Sequence, residues 1–115
     1  MESESKEPKY RMYSFFVLYF LSEQGELSGY DLANTIKSRT HGYFSSTFGN
    51  IYPTLKNLEK NELIRSKVSI GKRKKILYAI TPKGKTALVE LARRYKERFE
   101  KITYFFDKIL QDANK

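Results

Sequence analysis

The chain has 115 residues, 40% of them hydrophobic, with 22 Lys and Arg against 13 Asp and Glu for a net charge of +9. That length makes one domain with at most an appendage, and a chain so short gains from a partner subunit that covers more of its surface. A positive balance of this size favours a polyanion, nucleic acid before an anionic membrane, and the lack of cysteine excludes disulfides and thiolate metal sites.

The opening MESESKEPK alternates acids and bases without the basic start and apolar stretch of a signal peptide, so a short mobile tail over 1–9 and a cytoplasmic protein are expected. Tyr10 to Glu23 reads as a first helix. Its FFVLYFL run is apolar all round, which implies burial on more than one side, and is far shorter than the roughly 20 residues of a membrane span. Gln24-Gly25-Glu26 breaks the pattern. Ser28, with Asp31 three residues on, starts a second helix that runs to about Arg39 with Leu32, Ala33 and Ile36 inward; His41-Gly42 ends it.

In the connection that follows, Ser45, Ser46 or Thr47 can cap a third helix, running from near Ser46 to near Asn61. Asn61 tolerates the left-handed conformation common after a helix end. Pro53 lies about a turn too deep to be free of cost and should bend the early helix, with Gly49 easing the crowding on the carbonyl four residues back. At about 100° per residue, Phe48, Ile51, Leu55 and Leu58 share one face, with Thr54 beside them. Ser46, Gly49, Asn50, Pro53, Lys56, Asn57 and Lys60 collect opposite, and Glu59 falls on the inner flank. The outward face therefore offers amides, hydroxyls and ammonium groups without a carboxylate, where a merely solvated helix carries mixed signs.

Leu63 to Ser69 and, more loosely, Ile76 to Ile80 alternate apolar with polar residues and read as strands, joined by a turn with four consecutive cations, Lys72, Arg73, Lys74 and Lys75. From Leu63 to Thr86 there are eight Lys and Arg and no acid. Thr81-Pro82 announces a last helix, Thr as cap and Pro at the first helical position. No breaker follows Gly84 before about Asp112, giving a rod of roughly 45 Å. Leu88, Tyr95, Ile102 and Ile109 recur every seven residues; Leu91 and Phe105 lie three after two of them, Ala92, Phe99 and Phe106 four after. Arg98 interrupts the row, which makes a broad stripe rather than a strict coiled-coil seam. A rod that overhangs its domain needs cover for this stripe. A second copy of the chain, with its apolar first helix and Phe16, supplies it in a two-fold dimer.

These elements predict a mainly α chain with a small β-hairpin: a winged helix-turn-helix over 10–80 and a dimerisation helix over 81–115. In such a motif the third helix faces the major groove of duplex DNA, with Ser46, Thr47, Asn50, Lys56, Asn57 and Lys60 toward bases and phosphates and the basic wing on adjacent backbone.

Three stretches, LSGYDLANTI (27–36), GNIYPTLKNLEKNELI (49–64) and ILYAITPKGK (76–85), resemble the PadR family of transcriptional regulators. The combination of SGYDL with IYPTLxxLE is its specific part, and the likeness runs from residue 15 to about 86. The single helix after the wing is similar to the compact PadR-like subgroup. The resemblance implies a homodimer, with the last helix packed on the partner's first and last helices. It also implies repression from an inverted repeat near a promoter, on the nucleoid, relieved in some members by a small aromatic molecule. Residue by residue, Ser45 to Tyr52 correspond to the family's helix-start segment, and Tyr52 stands where its tyrosine meets the DNA backbone. Lys56 takes the basic position one turn on, and Lys72 to Lys75 match the basic wing. Glu26 replaces a common proline in a turn. The chain has no tryptophan to stack a ligand between subunits; Phe16, Tyr19, Tyr95, Phe99 and Phe106 would line any aromatic gap, although packing is the better reading of such a stripe.

With His41 the one histidine and no cysteine, no Ser-His or Cys-His pair can be assembled, so neither catalysis nor a cofactor is expected. Membrane-surface binding fits poorly, because Glu90, Glu97 and Glu100 interleave with Arg93, Arg94, Lys96, Arg98 and Lys101 on the last helix. The alternative to an operator-binding regulator is a winged-helix module for protein contact or single-stranded nucleic acid. The latter calls for exposed aromatics on a basic platform, and Tyr43, Phe44 and Tyr52 are the candidates.

Overall fold

The computed structural model describes residues 8–44, 48–71 and 73–115. Helix α1 (Pro8–Gln24) begins two residues before the expected start. Its proline sits in the first turn, where a missing amide hydrogen loses no intrahelical bond. Residues 1–7 of the expected tail lie outside the described residues.

The chain then forms a two-residue strand, β1 (Leu27–Ser28), before helix α2 (Gly29–Arg39). Ser28 caps α2 as expected: its Oγ accepts the Asp31 N–H at 3.1 Å. The helix closes at Thr40, where the Gly42 N–H donates to the Lys37 carbonyl at 2.7 Å and the His41 N–H to that of Ser38 at 3.2 Å. His41 and Gly42 both have positive φ and lead the chain away.

Helix α3 (Phe48–Lys60) continues through Pro53, and the expected start at Ser46 lies outside the described residues. At the other end the left-handed residue is Glu62, with φ 64°, and not Asn61. Asn61 instead turns its side-chain amide back to the Asn57 carbonyl at 2.9 Å. The Leu63 N–H reaches the Leu58 carbonyl at 3.0 Å and the Glu62 N–H that of Glu59 at 2.9 Å, a bonding pattern that requires the left-handed residue one position after Asn61.

Strands β2 (Ile64–Ser69) and β3 (Lys75–Ile80) pair antiparallel from Ile64 opposite Ile80 to Ser69 opposite Lys75. On the other edge of β3, Leu27 pairs with Tyr78 and Ser28 with Leu77, so the sheet has three strands in the order β1-β3-β2 and not the hairpin alone. Two residues are too few to show an alternation; β1 exists because β3 offers it an edge.

Helix α4 (Pro82–Ala113) takes Thr81 as its cap, the Oγ1 accepting the Gly84 N–H at 3.0 Å. The same hydroxyl donates to the Glu62 carbonyl at 2.7 Å, and the Thr81 N–H donates to that of Leu63 at 3.0 Å. The start of α4 is thereby tied to the turn that ends α3.

The core explains why α1 is apolar on all sides, for it touches α2, α3, β3 and α4. Val17, Leu18, Phe20 and Leu21 are buried with Leu32 and Ile36 of α2, Ile51, Leu55 and Leu58 of α3, and Ile64 of β2. Each such side chain stabilises the fold by about 1.5–3 kcal/mol through burial. At 32 residues α4 is about 48 Å long, and it draws the molecule out to 63 × 27 × 25 Å. Leu88 and Leu91 pack against the core and Tyr95 is buried; every residue after Tyr95 is exposed. No described helix is long and apolar enough to cross a membrane.

Candidate nucleic-acid interface

Helix periodicity divides α3 as the sequence predicts. Ile51, Leu55 and Leu58 are buried, while Tyr52, Lys56 and Lys60 line up at four-residue intervals on the exposed side with Asn57 beside them. Glu59, the one acid of the helix, is exposed but held sideways: the Ser66 hydroxyl of β2 donates to its carboxylate at 2.6 Å. Asn50 lies in the first turn of α3; Ser46, Thr47 and Lys72 lie outside the described residues.

The pairing of β1 with β3 brings in a third element. Because Ser28 sits opposite Leu77, the start of β3 runs past the first turn of α2. A cleft of about 450 Å³ opens there, bordered by Tyr30 and Asp31 of α2, Tyr52 of α3, and Lys74, Lys75 and Tyr78 of the wing. Burial pushes the Tyr78 phenol above its ordinary pKa, and the neighbouring Glu59 carboxylate and Tyr52 hydroxyl add to the shift. Sequence reasoning did not place Tyr30 or Gly29 at this site, although both stand in the SGYDL stretch. The signal was present in the motif; the long-range strand pairing that gives it meaning was not.

The cations of the acid-free stretch differ in their surroundings. Lys67 pairs with Glu26 at 2.8 Å, and Lys83 approaches Glu62 at 3.9 Å. Arg73, Lys74 and Lys75 are exposed and have no ion-pair partner among the described residues. Cations left uncompensated by their own chain are those available to a polyanion.

The expected dimer stripe is divided. Tyr95 packs edge-on against Phe15 at 5.8 Å between ring centroids, and Phe16 against Phe44 at 5.1 Å and Phe20 at 6.1 Å. With Leu88 and Leu91, these side chains are engaged within the chain's own fold. Phe99, Ile102, Phe106 and Ile109 are exposed, together with Tyr104, Phe105 and Leu110. Of the aromatics considered for a single-strand platform, Phe44 is buried, while Tyr43 and Tyr52 are exposed.

Residues 17–90 match the family described as transcriptional regulator PadR-like. The negative transcriptional regulator PadR of Bacillus subtilis is 31% identical over 83 residues, which cover 70% of this chain and 46% of that protein. The chain therefore spans less than half the length of that relative. The crystal structure of Bacillus subtilis PadR in complex with operator DNA superposes with a TM-score of 0.64 at 32% identity, over 71% of this chain and 46% of that one. A PadR-like transcriptional regulator from Bacillus cereus superposes with a TM-score of 0.70 at 26% identity, over 81% of this chain and 89% of that one. A family match over most of the chain, spanning α2, α3 and the wing, settles the affiliation: this chain belongs to the PadR-like family of transcriptional regulators.

Proposed function

We propose that the chain is a sequence-specific regulator that binds double-stranded DNA, acting without catalysis or cofactor as a homodimeric repressor on an inverted repeat in the cytoplasm. The observation that carries this reading is the meeting of Lys74 and Lys75 of the wing with Tyr52 of α3 at one cleft, from which Lys56 and Lys60 continue along the helix. A helix laid in the major groove would present Asn57 to base edges and these lysines to the flanking phosphates. Tyr52 and the wing would then meet the adjacent backbone. The relative described as a negative regulator and solved on operator DNA supports repression as the outcome.

The dimer rests on the part of α4 beyond Tyr95, whose aromatic and aliphatic side chains are left exposed by their own chain. An exposed apolar surface of this kind is what a second copy would bury. Of the five aromatics that would line a ligand gap, Tyr95 is buried and Phe16 half-buried among the chain's own rings, so no aromatic effector forms part of the proposal.

Selection of bound duplexes from a random pool, by wild type and by Asn57→Ala, tests the reading. The expected result is a palindromic site with half-sites roughly 34 Å apart. Asn57→Ala should lose about 1–3 kcal/mol of discrimination at one base pair of each half-site. A pool without enrichment, or tighter binding to single strands, would overturn it.

A further inference from the structure

We infer that Gly29 is a positioning residue for DNA binding: the empty place where its side chain would stand is the seat that holds the Tyr52 ring, and so its hydroxyl, at the cleft. The inference rests on the proposed DNA-binding function and deepens it by assigning a role to a residue with no group of its own to offer.

Gly29 is the first residue of α2, directly after the Ser28 cap, and it is buried. The backbone does not call for glycine there, since the positive-φ glycines among the described residues are Gly25 and Gly42. Helix propensity disfavours it, because alanine loses less backbone freedom. What excludes a larger residue is Tyr52. A Cβ on Gly29 would stand 2.9 Å from Tyr52 Cε1 and 3.1 Å from both Cζ and the hydroxyl oxygen, and these are its three nearest atoms. All belong to the far end of the ring. The seat therefore holds the ring by its tip, and a side chain at position 29 would displace the hydroxyl more than any other part of Tyr52.

The ring is also the softer partner. Tyr52 is 44% exposed and meets the added atom with the far end of its side chain, whereas α2 is fixed by the Ser28 cap and by the pairing of β1 with β3. Gly29→Ala should thus leave the fold in place and move the hydroxyl away from the cleft that Lys74 and Lys75 border.

A double-mutant cycle tests this, with wild type, Gly29→Ala, Tyr52→Phe and the pair, each measured on the selected duplex by fluorescence anisotropy. Tyr52→Phe should weaken binding about tenfold, the effect of one hydrogen bond to a charged group. Gly29→Ala should weaken it about as much or more, and the pair should be no weaker than Gly29→Ala alone, because a displaced hydroxyl has nothing left to lose. Aromatic ¹H–¹³C spectra without DNA supply the second readout, the Tyr52 signal being the one missing from Tyr52→Phe. It should shift in Gly29→Ala while signals of Tyr104, far along α4, stay. Binding within twofold of wild type, losses that multiply in the pair, or an unmoved Tyr52 signal would each overturn the inference. A Gly29→Ala chain that does not fold would overturn it too, since the backbone and not the ring would then be what fails. If the wild type binds no duplex, the proposed function falls, and the spectra alone decide whether Gly29 seats the ring.

Discussion

Replacing Gly84 with alanine should destabilise the protein far more than a single methyl group suggests. Gly84 is the third residue of α4 and is buried against the turn that joins α3 to β2. A Cβ there would overlap the Leu63 carbonyl oxygen, a backbone atom, and stand 2.7 Å from Ile80 Cγ1. Relief requires the start of α4 to lift from the turn, with loss of the bonds from Thr81 to the Leu63 and Glu62 carbonyls at 3.0 and 2.7 Å. Overpacking of this kind costs about 1–3 kcal/mol. The two hydrogen bonds contribute about 0.5–1.5 kcal/mol each, and the better helix propensity of alanine offsets up to about 1 kcal/mol. The balance is about 3 kcal/mol of lost stability, a fall in Tm of roughly 12 °C or more. Thermal unfolding followed by circular dichroism measures it, at one fixed protein concentration because the stability of the proposed dimer depends on concentration. Gly71→Ala is the control, since a Cβ at Gly71 meets nothing within 4 Å. A Gly84→Ala protein that melts within a few degrees of wild type would refute the close-approach argument.

Joint replacement of Arg73, Lys74 and Lys75 by alanine should weaken binding to every duplex alike. It should also flatten the dependence of log K on log salt by about 0.9 for each phosphate the wing no longer neutralises; an unchanged slope would remove the wing from the interface. Truncation after Glu97 keeps Tyr95 on Phe15 and deletes the exposed part of α4. Light scattering should then show a folded monomer, with weakened duplex binding, and a persistent dimer would place the interface elsewhere. The Tyr78 phenol, raised above the ordinary tyrosine value of about 10 chiefly by burial, favours the folded state while it is neutral. Its contribution is complete below about pH 10 and is lost as pH rises through the folded-state value, because the unfolded chain ionises first. Tyr78→Phe should make the alkaline decline in stability shallower, and an equally steep decline would show that Tyr78 is not its source.

What was legible from the sequence is what depends on neighbours along the chain. Ser28 with Asp31 and Thr81 with Pro82 mark helix starts through short-range capping, and the structure has both bonds. The 3.6-residue period separated Ile51, Leu55 and Leu58 from Lys56, Asn57 and Lys60 without knowledge of the rest of the fold. Features that depend on remote partners were not legible. Strand β1 is invisible until β3 is in place beside it, and with it the share of α2 in the cleft. The position of the left-handed residue at Glu62 depends on which amides close the last turn of α3, a choice that residue preferences favouring Asn61 do not make. The apolar stripe of α4 shows the same limit. Periodicity says that Leu88, Leu91 and Tyr95 seek cover just as Phe99 and Ile109 do, but not that the first three find it within their own chain.

The turn around Thr81 has a consequence for how a dimer of this chain would read DNA. A threonine hydroxyl has one hydrogen to donate and lone pairs to accept with. That of Thr81 uses both, accepting the Gly84 N–H inside α4 and donating to the Glu62 carbonyl beyond α3. Glu62 and Leu63 are themselves bonded back to the last turn of α3 through their amides. The helix that would read bases and the helix that would join the subunits are therefore connected through consecutive hydrogen bonds, with the wing between them in sequence yet outside this path. A rotation of α4 against its partner cannot be absorbed at the junction without breaking these bonds or driving the Gly84 backbone into the Leu63 carbonyl. It must turn α3 as well. In the proposed dimer the distance between the two reading helices is thus set by the packing of the rods, and the wings, tied to α3 by the Ser66–Glu59 hydrogen bond and to the start of α2 by the pairing of β3 with β1, turn with the reading helices.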